Sequence, residues 1–191
     1  MRVGFWFLEA VSGLVLAMFL SITAAGCAAR TESLGSRSMA DRPQPAGGFR
    51  DVMLTDLDGR PTRLVDALGR RPALVSFWAP WCEPCVREQP ALQRLSQQAH
   101  HCGATVLGVA VGENREAIAD FTRARQLSFP QLTDQEFRLA DALGQRRIPA
   151  TLVLNADQGI VFSGDGLDGR AVAALKNALQ GDPAAGSCSL Q

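Results

Sequence analysis

Residues Phe77–Cys85 spell FWAPWCEPC. A Cys-x-x-Cys can be half of a metal clip, a permanent staple or a reversible redox couple, and the flanking sequence separates these readings. A zinc site needs four ligands, usually from a second Cys or His pair. His100, His101 and Cys102 form the one cluster available, about a helix length from Cys82, which is poor geometry for a shared ion. A staple closing so short a loop removes little unfolded-chain entropy. The redox reading has a mechanism. Ala73–Trp78 (ALVSFW) is a short apolar run of the buried-strand kind. A helix is expected from about Cys82 to His100, with Leu92, Leu95 and Ala99 at helical spacing and Pro90 as a kink. Cys82 then stands at a strand-to-helix junction, where unpaired N–H groups and the positive helix end favour a thiolate. Cys85 lies one turn on, placed to resolve a mixed disulfide formed by Cys82. Pro84 replaces an N–H that the first turn leaves unpaired.

Outward from this junction, Asp56–Arg60 (DLDGR) carries Asp-Gly turn chemistry and predicts a hairpin. Thr105–Val111 reads as a second buried strand. Arg115–Arg125 and Glu136–Leu143 read as helices. Thr151–Leu154 and Ile160–Phe162 read as strands joined at Asp157–Gly159, and Asp168–Leu179 as a closing amphipathic helix. This order predicts an α/β domain. Its parallel strands are linked by crossover helices, its last edge is antiparallel, and helices lie on both faces of a mixed sheet.

The chain has 191 residues, is 47% hydrophobic, and balances 19 basic against 19 acidic residues for a formal net charge of +0. Those values suit one globular domain with appendages and argue against both a nucleic-acid binder and a disordered chain. Met1–Gly26 has a basic start and an apolar run, Val11–Ala25, as in a signal peptide or membrane anchor. Residues 27–48 form a polar, proline-punctuated linker, 49–182 the domain, and 183–191 a C-terminal tail.

The stretch FWAPWCEPC resembles the active-site strand, turn and helix of the thioredoxin superfamily. LTDLDGRPTRL, CVREQPAL and RRIPATLVLNADQG resemble the N-terminal hairpin, active-site helix and cis-proline loop of its TlpA/ResA/CcmG-like branch. The resemblance covers Phe49 to Gln180. It implies a thioredoxin-like fold with an N-terminal β-hairpin extension. It also implies an exported thiol-disulfide reductase acting on client proteins, apocytochrome c among them, and recharged by a membrane thiol donor of the DsbD/CcdA kind. No cofactor, metal or nucleic acid is implied. Cys82 would be the nucleophile and Cys85 the resolving thiol. Pro149, if cis, would lie beside Cys82, and the Ile148 backbone would pair with an extended substrate. Trp81 and Trp78 would shape the apolar surface around the sulfurs. Glu88 matches an acid that assists proton transfer in ResA-like members; the alternative is a solvated helix charge. Glu83 is expected to be exposed. Ser76 stands where many thioredoxins carry a buried aspartate, which leaves Glu88 as the main proton candidate. With no lysine nearby, Arg87 and the helix end are expected to supply the positive field.

Ala24–Cys27 (AAGC) resembles a bacterial lipobox, which implies lipidation at Cys27. Cleavage after Ala29 and an uncleaved anchor remain alternatives. Each exports the domain to the periplasmic side of a bacterial membrane. Cys102 and Cys188 are then left over in an oxidising compartment. The expected topology ends the first and last helices at the same end of the sheet, so a Cys102–Cys188 bridge is one outcome; a buried thiol at Cys102 with a free Cys188 is the other. Two further functions compete: a peroxiredoxin-like peroxidase, and a redox-linked metal-binding or chaperone module on the same scaffold.

Overall fold

The stretch ALVSFW forms β3 (Ala73–Trp78), buried at every position, as expected for a strand covered on both faces. In this computed structural model residues 48–182 and Leu190 are described. The apolar N-terminal run, Cys27 and Cys188 lie outside them.

A 3-10 turn (Gly48–Asp51) precedes β1 (Met53–Asp56), β2 (Pro61–Arg63) and α1 (Leu64–Leu68). After β3 come α2 (Glu83–His101), β4 (Thr105–Val111), α3 (Arg115–Ala124), β5 (Gln131–Asp134) and α4 (Arg138–Ala142). β6 (Ala150–Leu154), β7 (Ile160–Gly164) and α5 (Gly169–Gln180) close the domain. The sheet order is β2-β1-β5-β4-β3-β6-β7. β3–β4 and β4–β5 pair in parallel, with α2 and α3 as the crossovers. β6 is antiparallel to both β3 and β7.

Four expectations need correction. β5 was not expected as a strand, because Gln131-Leu132-Thr133-Asp134 lacks an apolar run; yet all four residues are buried. The antiparallel edge is not confined to the end of the chain, since β1 also pairs antiparallel with β5 and carries the β1–β2 hairpin into the sheet. The short helix α1 was also unforeseen. The helix expected over Glu136–Leu143 shrinks to Arg138–Ala142, because Phe137 takes a left-handed conformation (φ 59°) at its N-cap. Its ring occupies the space where a Cβ on Gly112 would sit.

Alternation along the strands assigns the two faces. Val75, Phe77, Val109, Leu132 and Leu152 pack with Leu64, Leu68 and Leu139 of α1 and α4. Leu74, Val106 and Val153 pack with Leu92, Leu95 and Ala99 of α2 and with Leu175 and Leu179 of α5. A third cluster joins Trp78, Cys82 and Cys85 to Ala110 and to Ile118 of α3.

Candidate active site

The chain leaves β3 at Trp78, turns through Ala79-Pro80-Trp81, and enters α2 with Cys82 as the N-cap. Cys82 and Cys85 form a disulfide with Cα atoms 5.3 Å apart. The Cys85 N–H donates to Cys82 Sγ at 3.3 Å. Cys82 is 6% exposed and Cys85 1%, so an incoming sulfur meets Cys82 first. One sulfur of the pair thus sits at the helix N-terminus with a backbone donor aimed at it. That arrangement stabilises negative charge on Cys82 when the bond opens.

The tryptophans divide. Trp81 is exposed (62%) beside the dithiol. Trp78 does not shape the outer surface as expected. It is buried beneath the sulfurs, donates from Nε1 to Gln131 Oε1 at 3.0 Å, and packs on Phe121 with ring centroids 5.2 Å apart. The peptide between Ile148 and Pro149 is cis, and Ile148 packs against the cluster that holds both cysteines. Glu83 is exposed and pairs with Arg87 at 2.6 Å. Arg87 is therefore engaged by an acid on the exposed face of α2.

Glu88 is half-buried. Its carboxylate reaches the segment between β7 and α5, where the Leu167 N–H donates to it. A Cβ on Gly166 would collide with Glu88 Oε1. Burial pushes the Glu88 pKa above the usual glutamate range, and the Leu167 N–H offsets part of that rise. Two further polar residues, not singled out from sequence, are buried on the same side: Gln89 on α2 and Thr151 on β6. For Gln89 the signal was present, since it falls four residues after Cys85 and three before Leu92. Its polarity hid its place on the apolar stripe.

Cys102 caps the far end of α2, is buried, and is disulfide-bonded. Leu190 is buried in the same cluster. Among the described residues no group of three His, Cys, Asp or Glu side chains is arranged to hold a metal ion, and no helix is long and apolar enough to cross a membrane. Two surface depressions, of about 360 and 300 Å³, are lined by Asn155, Val161 and Asn177 and by Met53, Arg115 and Asp134 respectively. Neither involves the dithiol or the cis-proline.

A family model described as AhpC/TSA matches residues 47–163, more than half of the chain. The chain belongs to the AhpC/TSA family. Within this AhpC/TSA chain, the thiol-disulfide oxidoreductase ResA of Geobacillus thermodenitrificans is 33% identical over 105 residues, covering 55% of this chain and 60% of that protein. The ResA of Halalkalibacterium halodurans is 31% identical over 146 residues, 75% of this chain and 82% of that protein. The chain thus spans less than two thirds of the Geobacillus relative and about four-fifths of the Halalkalibacterium one. Among solved structures, MTB dsbF in its mixed oxidized and reduced forms superposes with a TM-score of 0.57 at 27% identity. It covers 70% of this chain and 99% of that one. The AhpC/TSA domain described here is therefore thioredoxin-like, as its sequence motifs implied.

Proposed function

We propose that the protein is an exported thiol-disulfide oxidoreductase that reduces disulfides in client proteins. Cys82 attacks a client disulfide, forms a mixed disulfide, and releases one client thiolate. Cys85 then attacks Cys82 Sγ, releases the second client thiol, and leaves the Cys82–Cys85 bond. Two electrons pass to the client, and a membrane thiol donor restores the dithiol. Trp81, Ile148 and Pro149 receive the client segment, Glu88 handles the proton, and Cys27 or an uncleaved anchor tethers the domain on the periplasmic side. Apocytochrome c is the client class that the resemblance favours.

One observation carries this reading: the Cys82–Cys85 bond sits at a helix N-terminus with the more accessible sulfur accepting the Cys85 N–H. The peroxidase reading competes through the shared family. It calls for consumption of peroxide, whereas a close, mutually bonded pair suits exchange between disulfides.

Insulin reduction with dithiothreitol as donor tests the proposal. The wild type is expected to precipitate insulin chains well above the uncatalysed rate, and Cys82→Ser to show none of that gain. Rapid peroxide turnover without insulin reduction would favour the peroxidase. Replacing Cys27 with Ser should abolish lipid labelling; a wild type that takes no lipid label would favour cleavage or an anchor.

A further inference from the structure

On the face that β3, β4 and β6 turn toward α2 and α5, apolar packing stops short of the dithiol. Leu74 and its partner Val153 lie against Leu92, while Trp78 lies against Cys85. Between these levels fall Ser76 and Thr151, which pair across β3 and β6. On α2 the buried stripe runs Cys85, Gln89, Leu92, so Gln89 meets the sheet at the level of Ser76 and Thr151. On the outer side Thr151 pairs with Gly164 of β7, two residues before Gly166, whose backbone abuts the Glu88 carboxylate. The polar groups therefore form a layer from Glu88 past Thr151 and Gln89 to Cys85.

Their atoms are unpaired within the protein. Gln89 Oε1 and Nε2, Thr151 Oγ1 and Glu88 Oε2 are all buried with no protein hydrogen-bond partner. Gln89 is 3% exposed and Thr151 0%. Each such group costs about 1–3 kcal/mol when left unmade, and buried polar clusters of this kind bind internal water. Strands β3, β6 and β7 bring no charged residue to the layer. On α2, Glu83 and Arg87 pair with each other. Beyond β7 lie Asp165, Asp168 and Arg170, of which the last two pair at 2.8 Å. Asp165 is exposed, and α5, packed on β6 and β7, adds a part-buried Lys176 next to Leu175. Glu88 and the two thiols are the acidic groups of the layer itself.

We infer that Gln89 and Thr151 bind water that carries a proton between Cys85 and Glu88. The inference rests on the thiol-exchange reading. In the resolving step Cys85 S–H loses its proton through this water to the Glu88 carboxylate. The sulfur electron pair forms the bond to Cys82 Sγ, and the client sulfur leaves as thiolate. Glu88 then yields the proton to solvent, and the steps reverse when the donor restores the dithiol. Gln89 and Thr151 are positioning residues.

The test uses the reduced full-length protein and dithiobis(nitrobenzoate), which releases one coloured thiolate when Cys82 attacks and a second when Cys85 resolves. Gln89→Leu and Thr151→Val are expected to slow the second release by about tenfold or more and to change its pH profile, with the first release unaltered. Thr151→Ser should restore it. In a Glu88→Gln background, Gln89→Leu should slow it no further, because both act in one path. Second-release profiles that superpose on the wild type would overturn the inference, as would equal slowing of both releases or a full extra loss in the Glu88→Gln background. Insulin reduction measured in parallel separates the two claims: its failure with normal two-step dye release would sink the client reductase and leave the relay standing.

Discussion

The backbone N–H of Cys85 donates to the sulfur of Cys82 at 3.3 Å. Reduction leaves that donor and the α2 N-terminus aimed at the Cys82 thiolate, while Cys85 is buried one turn inside. Cys82 is therefore expected to alkylate faster than Cys85 across the neutral pH range in the reduced protein. Iodoacetamide labelling with peptide mapping reads this directly. Faster labelling of Cys85 would reverse the two roles.

Glu88 and Asp134 both lie above the usual carboxylate range because burial penalises their charged forms. A raised folded-state pKa means that the folded protein holds the proton more tightly than the unfolded chain. The contribution of Glu88 to stability is then greatest at low pH and falls as pH rises from the ordinary glutamate value of 4.5 through the folded one. Glu88→Gln removes the Glu88 share of that fall and keeps an oxygen for the Leu167 N–H. The variant should be more stable than the parent at neutral pH and close to it in acid, as thermal melts across pH would show. Its reductase rate should drop by about tenfold to a hundredfold, with an altered pH profile. An unchanged profile would return Glu88 to a simple helix charge.

Trp78 and Gln131 share a buried hydrogen bond beneath the dithiol. Gln131→Leu leaves the indole N–H unpaired and should cost about 1–3 kcal/mol in denaturant unfolding. Gly108 is the neighbour that makes room, since a Cβ there would strike Gln131 Oε1. Gly108→Ala should therefore destabilise by a similar route and alter Trp78 fluorescence. Wild-type stability in both variants would show that the bond contributes nothing.

Cys102 is disulfide-bonded while Cys82 and Cys85 pair with each other, and Leu190 is buried in the Cys102 cluster. These observations support a proposed Cys102–Cys188 bridge. Non-reducing peptide mapping of protein purified without reductant should recover the two in one linked peptide, and Cys188→Ser should lower stability by up to about 4 kcal/mol. Recovery of Cys102 and Cys188 in separate, alkylatable peptides would remove the bridge.

Two strands whose burial is largely apolar, ALVSFW and TVLGVAV, became β3 and β4 with the expected limits, and the exposed β7 was located from its β-branched and aromatic run. β5 escaped because polar atoms accompany its burial. Gln131 accepts from Trp78, Thr133 donates to the Thr55 carbonyl, and Asp134 Oδ2 accepts the Leu139 and Ala140 N–H groups. The Gln131 and Thr133 partners are 53 and 78 residues away along the chain, beyond any local periodicity, and the Asp134 partners lie on the next helix rather than in the strand. The same blindness applies at the site. The strand-to-helix junction placed Cys82 and Cys85, and Glu88 was singled out through its resemblance to an acid of ResA-like members, while Gln89 and Thr151 emerged only when two strands and a helix were set against each other.

In the proposed cycle Cys82 captures a client disulfide and Cys85 releases it. Incubating Cys85→Ala with an excess of a disulfide-bonded peptide and measuring intact mass tests it most directly. A stable adduct of one peptide, mapped to Cys82 and removed by dithiothreitol, is expected, and the wild type should not accumulate it. Absence of an adduct, or its formation on Cys82→Ala with Cys85 intact, would contradict it.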